Sequence, residues 1–195
     1  MRYLQRLPCF LAGSLVALAT HAQSPGEVVT PKQAFTNALL NIYSPDSDGW
    51  VVTGAGGNGI AFGKRGSEAN ETYGAQVVTL ELPPTSTGEE LVGVVKNRIA
   101  AMNPAPRFQE ADTSFQFTEE RGYPCVNVRA EFDDTAAANS SGKQTLRLKV
   151  VALDCRHPAE PDTGFFAAFS YRGTRVDTQI DEAGKSFIES IRPPT

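Results

Sequence analysis

Apolar residues recur along this chain in two rhythms, one near every 3.6 positions and one at every second position, and together they predict ten elements. The first is a helix: Thr30-Pro31 offers a cap and a first-turn proline, Gln33 adds a box-like partner, and Phe35, Ala38, Leu39 and Ile42 recur at helical spacing until Ser44-Pro45-Asp46. Strands are expected at Gly49–Thr53, Ile60–Lys64 and Ala75–Leu82, the first two joined by Gly54-Ala55-Gly56-Gly57-Asn58-Gly59. Pro83-Pro84 closes the third, and Thr87-Gly88-Glu89-Glu90 then forms a capping box for a helix whose stripe is Leu91, Val95, Ile99 and Met102. That helix ends before Pro104, and a strand is expected over Ser114–Thr118.

The segment Tyr123–Cys155 is the most informative. Two alternating runs flank the polar turn Asn139-Ser140-Ser141-Gly142, and a hairpin that pairs residue 125 with 155 and continues in step sets Val126, Val128, Ala130 and Phe132 on the same side as Leu146, Leu148, Val150 and Ala152. The same register lays Glu131 across from Lys149, Asp133 across from Arg147, and Cys125 across from Cys155. A slip of one residue would turn the apolar set into water, so the apolar face selects the register. The charge pairs, worth about 0.2–1 kcal/mol each, agree with it without holding it. Gly164–Arg172 reads as a strand with Phe165, Phe169 and Tyr171 on one side, and a final helix runs from about Thr178 to Ile191 before Pro193-Pro194.

The order α-β-β-β-α-β-β-β-β-α implies an α+β fold: a mostly antiparallel sheet of about six or seven strands covered by three helices. With the closing strand Ser170-Tyr171-Arg172-Gly173 and the helix segment Phe187-Ile188-Glu189-Ser190-Ile191, the pattern resembles the Mog1/PsbP-like fold over most of residues 30–192. That resemblance implies an antiparallel sheet flanked by helices. Members of the fold include accessory proteins without catalytic activity, but a fold analogy by itself assigns no function.

The N-terminus changes the picture from fold to compartment. Arg2 and Arg6 precede the apolar run Cys9–Ala19, and Thr20-His21-Ala22 supplies the small residues a signal peptidase reads, so residues 1–22 are expected to be a cleaved signal peptide. The apolar run is shorter than the roughly 20 residues that span a bilayer. Cleavage leaves residues 23–195 as one exported domain with 16 basic against 22 acidic residues, a net charge of −6. No basic block remains, which argues against nucleic acid and anionic membrane as partners without favouring any other; export itself makes an envelope protein or a small ligand the expected partner. Cys125 and Cys155 are then the only cysteines, an even pair in an oxidising compartment, and a disulfide is expected.

Candidate chemistry is sparse. Gly54–Gly59 fits GxGxxG, but strand pattern follows where a nucleotide site needs a helix, so a hairpin turn requiring positive φ is the simpler origin. Asp46-Ser47-Asp48-Gly49 fails as a calcium loop, because alignment on the glycine places Ala55 where the bidentate Glu belongs. His157, the only histidine after processing, sits among Asp154, Glu160 and Asp162, a conceivable metal or proton-transfer loop. The bland alternative is an exposed connection between strands, marked by Pro158 and Pro161. No GxSxG elbow is present, and the pairs Glu89/Glu90 and Glu119/Glu120 read as solvated charge. Asn70 and Asn139 open glycosylation sequons on expected turns. The aromatic strand Phe165, Phe166, Phe169 and Tyr171 reads as core, with any binding surface expected near its ends and the Trp50 strand.

No catalytic, cofactor or metal signature is complete. The expectation is therefore a non-catalytic periplasmic or secreted binding or accessory protein. The alternatives are a hydrolytic or metal-assisted enzyme using the His157 loop, and an inhibitor or immunity protein acting on another enzyme.

Overall fold

The computed structural model describes residues 25–139, 142–143, 145–175 and 177–194; the expected signal peptide lies outside them. The chain forms β1 (Ala34–Thr36), β2 (Asn41–Tyr43), β3 (Val51–Gly56), β4 (Gly59–Arg65), β5 (Thr72–Glu81) and α1 (Gly88–Met102). It continues through β6 (Phe108–Thr118), β7 (Cys125–Asp134), β8 (Ala138–Asn139), β9 (Gly142–Lys143), β10 (Leu146–Arg156), β11 (Thr163–Gly173) and α2 (Ile180–Ser190). Seven strands make one antiparallel sheet in the order β3-β4-β5-β11-β10-β7-β6. The fold is α+β, with two helices among the described residues where three are expected.

The expected first helix is instead the hairpin β1–β2. Gln33 Oε1 does accept from Thr30 N at 3.0 Å, half of the box, but Lys32 takes φ +55° and Gln33 N turns back to Thr30 O at 3.2 Å, which closes a turn. Asn37 Oδ1 then accepts from the amides of Leu39 and Leu40 at 2.9 and 2.7 Å, a side-chain capture of backbone that competes with helix. Phe35 pairs directly opposite Ile42, so residues that share a helical stripe also share one face of the hairpin. Periodicity alone does not separate these outcomes over so short a run.

The β7–β10 hairpin has the expected alignment: Cys125 opposite Cys155, Glu131 opposite Lys149, Asp133 opposite Arg147. Cys125 and Cys155 form a disulfide across the strands. The apolar face, with Val126, Val128, Ala130, Phe132 and Ala152, packs under Leu91, Val95 and Ile99 of α1. The opposite face differs from the expected polar one over half its length. Val151 and Leu153 are buried there beneath α2, while Asn127 and Arg129 on β7 stay exposed. Gly184 lets α2 approach β10 so closely that a Cβ on it would lie 2.9 Å from Val151 Cβ. β11, at the centre of the sheet, buries Phe165, Ala167 and Phe169 on the α2 side and Phe166 and Ala168 on the α1 side, which explains its unbroken apolar run.

The glycine-rich segment is the β3–β4 hairpin, with Gly56 opposite Gly59. The reason for its glycines differs from expectation, because none has positive φ. Gly59 is required by close approach: a Cβ there would stand 2.3 Å from the carbonyl oxygen of Val77 on β5. β6 begins earlier than expected, at Phe108, and its polar first half (Gln109, Glu110 and Asp112) forms an exposed sheet edge interrupted by a bulge between Glu110 and Asp112.

Candidate functional site

The residues singled out around His157 are divided between the two faces of the sheet. Asp154 lies opposite Val126 and so points to the α1 side, where its carboxylate is fully buried and meets the guanidinium of Arg98. Its Oδ1 has no hydrogen-bond partner. Burial pushes the carboxyl up to about 6 against the opposing pull of Arg98. His157 lies beyond the disulfide on the α2 side, buried below the β1–β2 connection. Its Nε2 lies 3.1 Å from the carbonyl oxygen of Leu39, and Nδ1 accepts from the amide of Ala159 at 3.3 Å, so the ring hydrogen sits on Nε2 and both nitrogens are engaged. Glu160 and Asp162 are exposed, and it is their carbonyls that matter, accepting from Thr163 N and Leu82 N at 2.9 Å each. Among the described residues no cluster of three or more His, Cys, Asp or Glu is close enough to hold a metal. Asn70 occupies a turn before β5, while Ser140 and Ser141 of the second sequon lie outside the described residues.

A concave site does form elsewhere, where the 44–50 loop, the ends of β4 and β5 and the first turn of α2 meet. Gly49 takes φ +87° to turn the chain into β3, and the stem of Lys64 lies against it, 3.6 Å from where a Cβ would be. Trp50 follows, 1% exposed and edge-on to Phe169 at 5.5 Å between ring centroids. Its indole Nε1–H donates to Ser47 Oγ at 2.9 Å, and the ammonium of Lys64 donates to the same oxygen at 3.3 Å. Tyr73 forms a wall and donates to Asp177 Oδ2 at 2.9 Å, while Asp177 Oδ1 accepts from the amide of Gln179 at 2.8 Å. Ile180 and Ala183 of α2 close the far side of a cleft of about 540 Å³.

The electrostatics of this cleft are set by which charges are already spent. Burial, then the bond to Asp177, holds the Tyr73 phenol well above its usual range. Behind it Tyr171 is pushed up to about 12, first by burial and then by its bond to Glu71. Glu71 is held below the ordinary value, chiefly by the Glu68 amide. Asp46 pairs with Lys32 at 2.6 Å and Glu68 with Arg175 at 3.0 Å. Lys64 and Arg65, by contrast, have no carboxylate within ion-pair distance among the described residues.

Two further concavities flank the sheet. One of about 360 Å³, past the end of α1, is mostly apolar and is lined by Ile99, Met102, Phe132, Leu148 and Ala168 among others. The other, about 570 Å³, separates α2 from the open half of β6 and β7 and is lined by polar groups including Ser114, Gln116, Asn127, Arg129 and Lys185. Sequence reasoning marks the Trp50 strand and the aromatic strand but misses Lys64, Ser47, Tyr73 and Asp177. These come from separate segments with no motif spacing. The only local signal is Gly49 followed by the single tryptophan. No family model matches the chain, and no curated protein sequence matches it.

Proposed function

We propose that this chain is an exported, non-catalytic binding module that holds a small molecule in the Trp50 cleft. The observation that carries this reading is the cleft itself: an aromatic and aliphatic floor (Trp50, Phe169, Ile180) beneath a rim of hydrogen-bonding side chains, in a volume of about 540 Å³ suited to a small ligand. The dispersal of His157, Asp154, Glu160 and Asp162 over two faces and a surface loop favours binding over a hydrolytic or metal-assisted reaction at that loop. The Mog1/PsbP-like resemblance agrees with an accessory role by analogy of fold alone. The apolar leader and the paired cysteines support export.

The test is a thermal-shift screen of small metabolites against the wild type and Ala183→Phe, a substitution at an exposed α2 position that fills the cleft. A ligand at 100 times its dissociation constant stabilises by about 2.7 kcal/mol, roughly 5–10 °C for a domain of this size. The expected hit raises the Tm of the wild type and leaves Ala183→Phe unmoved. Hits that stabilise both proteins equally, or no hit at all, would overturn the cleft as the binding site.

A further inference from the structure

The rim of the Trp50 cleft carries two cations, Lys64 and Arg65, that have no ion-pair partner among the described residues. Ser47 Oγ already accepts two hydrogen bonds, from Trp50 Nε1 and Lys64 Nζ, so both its lone pairs are used and its own hydrogen is left to donate. The Lys64 ammonium has three hydrogens and gives one to Ser47, which leaves two. Of the two carboxylates on the lining, Asp46 is ion-paired with Lys32, whereas Asp177 accepts from Tyr73 and from Gln179 N and keeps its charge. Arg65 adds a second cation on the same lining without an ion-pair partner among the described residues. Lys64 is half-buried with its stem over Gly49, so its head is held at the cleft instead of ranging through solvent. With two unpaired cations against the one unpaired carboxylate of Asp177, the lining keeps an excess of positive charge, and beside an aromatic floor that excess favours a ligand that brings negative charge and acceptor oxygens.

Resting on the binding reading above, we propose that the cleft selects a small organic carboxylate on an apolar body, with Lys64 and Ser47 as the anion-recognising pair and Trp50, Phe169 and Ile180 as the seat for the body. The apolar seat separates this ligand from a bare inorganic ion, and the donor rim separates it from a neutral aromatic.

Trp50 is the only tryptophan, and its indole N–H is bonded to the hydroxyl assigned to the ligand, so its emission reports directly on occupancy. Benzoate, benzamide and acetate serve as probes: anion with body, body without charge, and charge without body. The expected result is a saturable shift of Trp50 emission with benzoate, at least tenfold tighter than with benzamide or acetate. Lys64→Gln and Ser47→Ala should each weaken benzoate tenfold or more, with Tm read alongside to show that both fold. Arg147→Gln, a distant cation paired with Asp133, should leave it unchanged. Benzamide binding as tightly as benzoate, or benzoate indifferent to Lys64→Gln, overturns the anion assignment and leaves the cleft as a binding site. Silence from all three probes, in emission and in Tm, overturns the carboxylate assignment, and the metabolite screen on Ala183→Phe then decides the cleft separately.

Discussion

Asp154 and Asp134 show how two buried carboxylates on the same face of one sheet come to titrate in opposite directions. At Asp154 burial outweighs the single guanidinium of Arg98 and raises the folded pKa to about 6 from an ordinary 3.8. At Asp134 burial also pushes upward, but Arg107 binds both carboxylate oxygens at 3.1 Å, the charge of Arg172 lies 2.6 Å away, and the net effect is a pKa below the usual range. A group whose folded pKa is raised contributes stability that is complete below its unfolded value and lost as pH climbs through the folded one. For Asp154 that window is pH 3.8 to about 6, and two units correspond to about 3 kcal/mol as an order of magnitude. Asp134 contributes the reverse, losing its share as pH falls, so the wild-type profile alone mixes the two. The difference between wild type and Asp154→Asn isolates the first. From pH 4 to 7 the variant should gain on the wild type by up to about 3 kcal/mol in urea unfolding; a difference that is flat with pH would refute the assignment.

At the scale of elements, what was legible in the sequence was whatever one face of one strand could state. The β7–β10 register follows from alternation, because a single slip would expose Val126, Val128, Ala130 and Phe132 together. The β1–β2 hairpin was not legible, because Phe35, Leu39 and Ile42 satisfy a helix and a hairpin alike and the deciding contacts come from an amide side chain and from Phe62 across the core. Asn37→Ala removes the acceptor for the Leu39 and Leu40 amides and should cost about 1 kcal/mol in urea unfolding. An unchanged midpoint would mean that Asn37 does not govern the turn. Gly59→Ala tests the other misread feature: its cost should exceed the roughly 1 kcal/mol of an ordinary strand substitution, because the new methyl meets the Val77 carbonyl. The candidate site was only partly legible for a related reason. Trp50 announces itself by composition, but Lys64 and Tyr73 gain meaning from being brought beside Ser47 and Asp177, over 100 residues apart in the last case.

For the whole molecule, one seven-stranded sheet carries the two helices of the described residues on opposite faces, α1 against β6 and β7 and α2 against β10 and β11, through separate clusters. β7, β10 and β11 each contribute buried residues to both clusters, and the Cys125–Cys155 crosslink ties β10 to β7. Constraining a loop of 30 residues in the unfolded chain is worth about 3–4 kcal/mol on the entropy model, and because β10 underlies both layers the loss is felt by the entire fold. The proposed export and the stability of the fold are thereby linked. Made with its leader and recovered from the periplasm, the protein should begin at Gln23 and offer no reactive thiol, since both cysteines are buried and bonded. Made without the leader in a reducing cytosol, the same domain should melt about 10 °C lower and regain the difference on oxidation. Equal melting temperatures for the reduced and oxidised forms would show that sheet packing alone sets the stability, leaving the disulfide without the role that the proposed route of export gives it.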